Sequence, residues 1–237
     1  MLVANWMTRN VIAVDKCDSV EVAEDLLKQH SISLLPVMAQ EKLCGVVSSG
    51  DLYRTINSLA AAQEDLDLKD KVSHMTVGQV MTPNVITVPA DFTVEETIEL
   101  LIKNKIHGVP VTNDKKEVLG VITQTDLLKA VVDLTGASRR GIQYGFVVED
   151  RPGSIKELID TIHNFGGRMA SIMTSYEGVP GGYRRAYIRM YGIDRFRLNS
   201  LNEALEEKAN LVYVVDHLEI RKEISTNANS IALCPSK

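Results

Sequence analysis

Apolar positions along the chain keep two rhythms, short β-rich runs and amphipathic helical stretches, and their order repeats. Residues 11–14 form a short β-rich run that predicts a strand. Behind Ser19, a predicted N-cap, Val20, Ala23, Leu26, Leu27 and His30 keep helical spacing. Two more strands are predicted over residues 35–38 and 43–48, and Asp51 begins a closing helix. The same succession returns further on. Thr93 and Glu96 make a capping box ahead of Val94, Ile98, Leu101 and Ile102. Strands follow over 109–112 and 118–123, and Asp126 opens another helix. Each copy reads β-α-β-β-α.

The repetition extends to identities. Met7-Thr8-Arg9-Asn10-Val11-Ile12-Ala13-Val14 returns as Met81-Thr82-Pro83-Asn84-Val85-Ile86-Thr87-Val88, at an offset of 74. Pro36-Val37 returns as Pro110-Val111 at the same offset. Gly45-Val46-Val47-Ser48-Ser49-Gly50-Asp51-Leu52 returns as Gly120-Val121-Ile122-Thr123-Gln124-Thr125-Asp126-Leu127, at offset 75. One structural unit therefore occurs twice. Between the copies, the alanine run after Leu59 predicts a helix continuing to about Leu68, then a charged turn.

The rhythm changes at Leu134-Thr135-Gly136-Ala137-Ser138-Arg139-Arg140-Gly141, a predicted boundary. Strands are expected over 142–149, 168–176, 183–191 and 211–215. One helix carries Ile155, Leu158, Ile159 and Ile162, and another Leu198, Leu201 and Leu205. This β-α-β-β-α-β order is the ferredoxin-like split arrangement. The expected organisation is a first repeat over 1–54, a helical linker over 55–77, a second repeat over 78–134, and a hinge over 135–141. A third domain over 142–221 and a flexible tail over 222–237 complete it.

Composition narrows the function classes. The 237 residues carry a net charge of −5, all of it within residues 1–140. No basic surplus advertises a nucleic-acid binder. No apolar run approaches the ~18 residues of a membrane helix, and the N-terminus lacks the pattern of a signal peptide. Cys17, Cys44 and Cys234 are an odd, widely spaced set that fits a reducing cytoplasm better than disulfides or zinc. There is no Gly-x-Ser-x-Gly, His-Glu-x-x-His, P-loop or Gly-x-Gly-x-x-Gly, so no catalytic residue, metal site or catalytic cofactor is expected.

The early Met-Thr with its strand, the Pro-Val, and the terminal Gly-h-h-[Ser/Thr]-x-x-Asp (h, apolar) together make the doubled unit resemble the CBS domain, whose tandem pair forms a Bateman module. Asp150-Arg151-Pro152-Gly153, between a strand and a helix, makes the third segment resemble an ACT domain. The order CBS–CBS–ACT, with Leu134-Thr135-Gly136-Ala137 at the junction, is similar to that of acetoin-utilisation proteins. The fold class implied is α/β (α+β), two CBS units followed by a ferredoxin-like ACT domain. The resemblance implies a cytoplasmic, non-catalytic regulatory protein. Adenine nucleotide (AMP, ADP, ATP or S-adenosylmethionine) is its ligand, an amino acid is a candidate at the ACT part, and homodimerisation and a downstream protein partner are implied. A nucleotide-independent interaction scaffold and an acetoin-metabolising enzyme are the alternatives.

A carboxylate can accept hydrogen bonds from both ribose hydroxyls, while a hydroxyl and helix N-terminal amides suit a phosphate. Carried over from the family, these roles fall to Asp51 with Ser48 and to Asp126 with Thr123. The adenine slot falls to Thr8, Val11, Ile12, Ser33, Leu35 and Pro36, and in the second copy to Thr82, Val85, Ile86, His107, Val109 and Pro110. Arg54 and Lys129, one helical turn beyond each Asp, are candidate phosphate contacts. Ser or Thr three residues before Asp is also an ordinary capping signal. Asp150, Arg151, Pro152 and Gly153 form the candidate ACT ligand loop, with a ligand-free turn as the plainer reading. Arg184, Arg185 and Arg189 share one strand and read as a solvated face, with an acidic partner as the alternative.

Overall fold

The computed structural model describes residues 1–62 and 75–224 and divides them into two compact units, residues 1–130 and the chain from residue 131 onward. The predicted continuation of the linker helix past Ala62 and the tail beyond Ile224 lie outside the described residues.

In the first unit the chain forms β1 (Val14–Asp15), α1 (Val20–Gln29), β2 (Leu34–Ala39), β3 (Lys42–Ser48), α2 (Ser49–Ala62) and α3 (Val77–Val80). It continues through β4 (Thr82–Pro83), β5 (Val88–Pro89), α4 (Val94–Asn104), β6 (Gly108–Thr112), β7 (Val118–Thr123) and α5 (Gln124–Leu134). The strand expected over residues 11–14 shrinks to Val14–Asp15, paired parallel to β2. Its earlier residues are left as irregular chain facing a cleft. Ser19 and Thr93 cap α1 and α4 as expected, accepting from the N–H groups of Val22 and Glu96.

The two repeats exchange their leading segments. Val3, fully buried, belongs to the core of the second repeat with Val88, Val94, Leu101 and Ile122. Val77 belongs to that of the first repeat with Val14, Val20, Leu35 and Leu52. Thr8 bridges Val121 through two backbone hydrogen bonds of 2.9 and 3.0 Å, and Thr82 pairs with Val46 in β3. Gly120 permits the first crossing, since a Cβ there would stand 2.9 Å from the Thr8 carbonyl oxygen and 2.7 Å from Met7 Sδ. Gly45 plays the same part against Met81.

The second unit holds β8 (Ile142–Glu149), α6 (Ser154–Asn164), β9 (Arg168–Ser175), β10 (Tyr183–Tyr191), α7 (Leu198–Glu206), β11 (Asn210–Asp216) and β12 (Arg221–Ile224). The sheet runs β12-β11-β8-β10-β9, and all its neighbours are antiparallel. The first four strands of the predicted β-α-β-β-α-β therefore take the 4-1-3-2 order of the ferredoxin-like arrangement. Lys222, Glu223 and Ile224, expected in a flexible tail, instead add a fifth strand against Tyr213–Val215. One sheet face packs Tyr144, Phe146, Ile188 and Met190 against Leu158 and Ile162 of α6 and Leu201 and Leu205 of α7.

At the end of β11, Asp216 is 5% exposed and paired with Arg195. It also accepts from the N–H groups of Leu218 (2.9 Å) and Glu219 (3.2 Å). Burial pushes its carboxyl pKa up, but Arg195 and the two N–H groups outweigh burial and hold it below the usual range. A carboxylate depressed in the folded state stabilises above its unfolded value, and that contribution disappears as pH falls through the folded value. Asp216→Asn is therefore expected to cost about 1–3 kcal/mol at pH 7, and less below about pH 4, by urea denaturation across pH. Gly120→Ala is expected to cost about 1–3 kcal/mol in the same assay, because the Thr8 backbone cannot retreat without breaking its bridge.

Candidate functional site

The exchange of leading segments decides which residues meet. The Thr8–Val121 bridge carries the first repeat's opening segment alongside β7 of the second. A cleft of about 550 Å³ opens there, within the 300–1,000 Å³ usual for small-molecule sites. Its first-repeat wall includes Thr8, Val11, Ile12 and Ser33, and its second-repeat wall includes Thr123, Asp126 and Lys129. Seven predicted residues thus meet in one cavity, four from one repeat and three from the other. In the other direction Thr82 pairs with Val46 of β3, two residues before Ser48, but Val85 lines a separate cavity with Leu43, Cys44 and Thr112 and does not join Ser48 and Asp51 there.

Four predicted residues lie in the core. Leu35 and Val109 are buried core residues, and Pro36 and Pro110 are buried beside them in β2 and β6. Leu34 lines the cleft in place of Leu35. Successive strand residues point to opposite faces, so assigning the slot to the wrong neighbour puts it in the core. His30, read as part of the α1 helical stripe, is the exposed C-cap of that helix. Ser31, at φ 52°, then turns the chain so that His30, Ser31 and Ile32 reach the cleft. Asn10 and Thr125, both within the repeated motifs, also line it and were passed over. Each sits beside a quoted contact, which was the available signal. His107 is exposed, and its carbonyl accepts from the N–H of Gln124 at 2.8 Å, as that of Ser33 does from Ser49 at 3.2 Å.

The [Ser/Thr]-x-x-Asp motif is a cap in both copies, and it engages one carboxylate oxygen. Ser48 and Thr123 are the residues before α2 and α5. Asp51 Oδ2 accepts from the Ser48 N–H at 2.9 Å and from its hydroxyl. Asp126 Oδ2 accepts from the Thr123 N–H at 3.0 Å and its hydroxyl at 2.7 Å. One carboxylate oxygen thus secures the helix start, and Oδ1 is left for another purpose.

What occupies Oδ1 differs between the copies. Arg54 closes directly onto Asp51 Oδ1, whereas Lys129 Nζ stands 3.8 Å from Asp126 Oδ1. Gly50 stands where the second copy has Thr125, and a Cβ at Gly50 would meet Arg54 Nη1 at 3.9 Å. The Asp51 N–H donates to Ser48 Oγ at 3.2 Å, while among the described residues the Asp126 N–H has no such partner. The Asp126 cleft therefore offers a carboxylate oxygen, a backbone N–H and a nearby ammonium. At Asp51 the same groups are already engaged.

In the second unit, Asp150, Arg151, Pro152 and Gly153 form the turn into α6, with Gly153 at φ 91° as its N-cap. Arg151 is spent on Glu149 (2.9 Å) and Glu157 (2.8 Å), and Asp150 lies 3.4 Å from Arg184 Nε.

Residues 3–58 and 77–133 each match the family model of the CBS domain. An inosine-5'-monophosphate dehydrogenase of Korarchaeum cryptofilum is 32% identical over 164 residues, a match covering 67% of this chain and 31% of that protein. The chain thus spans less than a third of that relative's length. Among solved structures, the CBS domain pair of protein MJ0100 in complex with 5'-methylthioadenosine and S-adenosylmethionine is 29% identical. It covers 55% of this chain and 95% of its own, at a TM-score of 0.47. CBSX2 from Arabidopsis thaliana, in complex with AMP, is 28% identical and covers 55% and 96%, at a TM-score of 0.47.

Proposed function

We propose that the tandem pair of CBS domains at residues 3–58 and 77–133 is a non-catalytic sensor that binds one adenine nucleotide in the Asp126 cleft. The observation carrying this is the Asp126 carboxylate, whose Oδ1 has only the Lys129 ammonium, 3.8 Å away, as a polar neighbour among the described residues, on a 550 Å³ cavity whose other wall is Thr8, Val11 and Ile12. Asp126 Oδ1 accepts from the ribose hydroxyls, and Val11 and Ile12 supply apolar surface for the base. Thr123, the N–H groups that open α5 and Lys129 take the phosphate. Among the described residues Lys129 is the one Lys or Arg on the cleft wall, and residues 1–140 hold the chain's whole net charge of −5. Both favour a ligand with one phosphate, or the cationic S-adenosylmethionine, over ATP.

Binding across the two repeats shifts their relative angle, and that shift is what a partner or the C-terminal domain reads. In this proposal the C-terminal domain is an ACT-type relay, as its strand order allows. An amino acid at the Asp150–Gly153 turn has to displace Arg151 from Glu149 and Glu157. A role in acetoin metabolism rests on domain order alone.

Calorimetry with AMP, ADP, ATP and S-adenosylmethionine tests the site. One molecule is expected to bind per chain, with AMP ahead of ATP. Asp126→Ala should weaken it by about 10- to 100-fold, the value of a charged acceptor's hydrogen bonds, and Asp51→Ala by less than about threefold. Equal loss in both variants, or no binding at millimolar ligand, sinks the proposal.

A homodimer belongs to the same reading. Helix α5 exposes Leu128, Val131 and Val132 on one stripe, and Ile102 of α4 is 68% exposed. A dimer at micromolar concentration is expected by light scattering, and Leu128→Glu should shift it toward monomer. An unchanged dimer in that variant assigns the contact to another surface.

A further inference from the structure

Helices α6 and α7 cover one face of the C-terminal sheet, and the opposite face holds a concentration of unmatched positive charge. Residues alternate along β10, so Ala186, Ile188 and Met190 enter the core while Arg185, Tyr187 and Arg189 share the other face. Lys222 of β12 joins them there, opposite Val215. The sequence reading left these arginines solvated, but Arg189 is only 7% exposed.

Three observations show that the charges lack counterions. Arg189 Nη2 donates to Gln143 Oε1 at 2.6 Å, a neutral partner, and Gln143 Nε2 in turn donates to Tyr213 Oη at 3.0 Å. Among the described residues, the buried Nε atoms of Arg185 and Arg189 have no hydrogen-bond partner, and neither residue makes a salt bridge. Burial pushes the Arg189 pKa down, as expected for a cation losing water without gaining an anion. The acidic side chains Glu157, Asp160, Glu203 and Glu206 lie on α6 and α7, on the opposite side of the sheet. Glu149, at the far end of the face, is engaged by Arg151 at 2.9 Å.

Between the two arginines the surface is aromatic, with the Tyr187 and Tyr213 rings 6.4 Å apart. Arginine and tyrosine around a partly desolvated centre are the composition of an interaction hot spot. A second copy of this chain is a poor occupant. Stacking the face on itself about a twofold axis opposes Arg185, Arg189 and Lys222 to the same cations. We infer that this face docks an acidic segment of a different protein, whose carboxylates pair with Arg185 and Arg189 across the two tyrosines.

Site-specific photocrosslinking on the full chain tests this, with p-benzoylphenylalanine in place of Met173, which pairs with Tyr187 on the same face. The tagged protein is irradiated in a lysate of its source cells, and the crosslinked peptide is identified by mass spectrometry. The expected product joins position 173 to a net-acidic segment of another protein. Its yield should fall more than about fivefold when Arg185→Glu and Lys222→Glu are combined, because like charges then face each other. These two side chains lie outside the packed core, and circular dichroism checks that the double variant is folded. Crosslinks only to a second copy of the chain, a segment without acidic residues, no product, or a yield indifferent to charge reversal would each overturn the inference.

Discussion

The first unit depends on the exchange of leading segments between its repeats. Neither repeat completes its core from its own consecutive residues: Val3 fills a space in the second, and Val77 one in the first. The two backbone bridges at Thr8 and Thr82 fix the register of that exchange. A cleft then follows from packing alone. The irregular chain after Thr8 has no sheet partner of its own as far as Val14, so it is free to line a cavity opposite β7 and the start of α5. Slippage of the bridge by one residue would turn Thr8 to the other face and separate it from Thr123 and Asp126.

The motif Asp caps its helix with one oxygen and keeps the other out of the cap. A carboxylate at the third position of a helix can reach back to the N-cap N–H, and it needs only one oxygen to do so. That division explains why a capping reading and a ligand reading of the same four residues are compatible. It also shows how two nearly identical motifs diverge. Arg54 engages the second oxygen of Asp51, while Lys129 stands 3.8 Å from that of Asp126. The cation one helical turn beyond the motif thus differs in how tightly it holds the carboxylate.

Much of this was legible in the sequence because repetition supplies its own control. Two copies with matched Met-Thr, Pro-Val and Gly-h-h-[Ser/Thr]-x-x-Asp fixed the element order, both N-caps and seven of the cleft residues. The pairing of one repeat's opening with the other's Asp was not legible, since an exchanged and an unexchanged arrangement leave the same sequence. Strand phase was the second blind spot. In Leu34-Leu35-Pro36-Val37 every residue but the proline is aliphatic, so no alternation marks that Leu34, and not Leu35, faces the cleft. Arg189 was the third. An arginine in a strand reads as solvent-facing, because its burial depends on neighbours from β8 and β11 that spacing does not reveal.

Charge ties the two halves of the chain to different kinds of occupant. In residues 1–140 carboxylates outnumber cations, so an anionic ligand gains nothing from the overall field and must be held by short-range contacts. Each added phosphate then needs another local donor, and the Asp126 cleft supplies one ammonium and the start of α5. In the C-terminal half the charges balance in number and several pair directly, as Arg195 does with Asp216 and Arg151 with Glu149 and Glu157, but Arg185 and Arg189 stand on the open sheet face while Glu157, Asp160, Glu203 and Glu206 lie on the helices. Opposite charges held on the two faces of a sheet cannot pair with each other. A cation buried without a counterion is costly, and a protein keeps it most readily where an anion from outside completes the site. Arg189 meets that condition: most of its water is already gone, and among the described residues its one hydrogen-bond partner is a neutral amide.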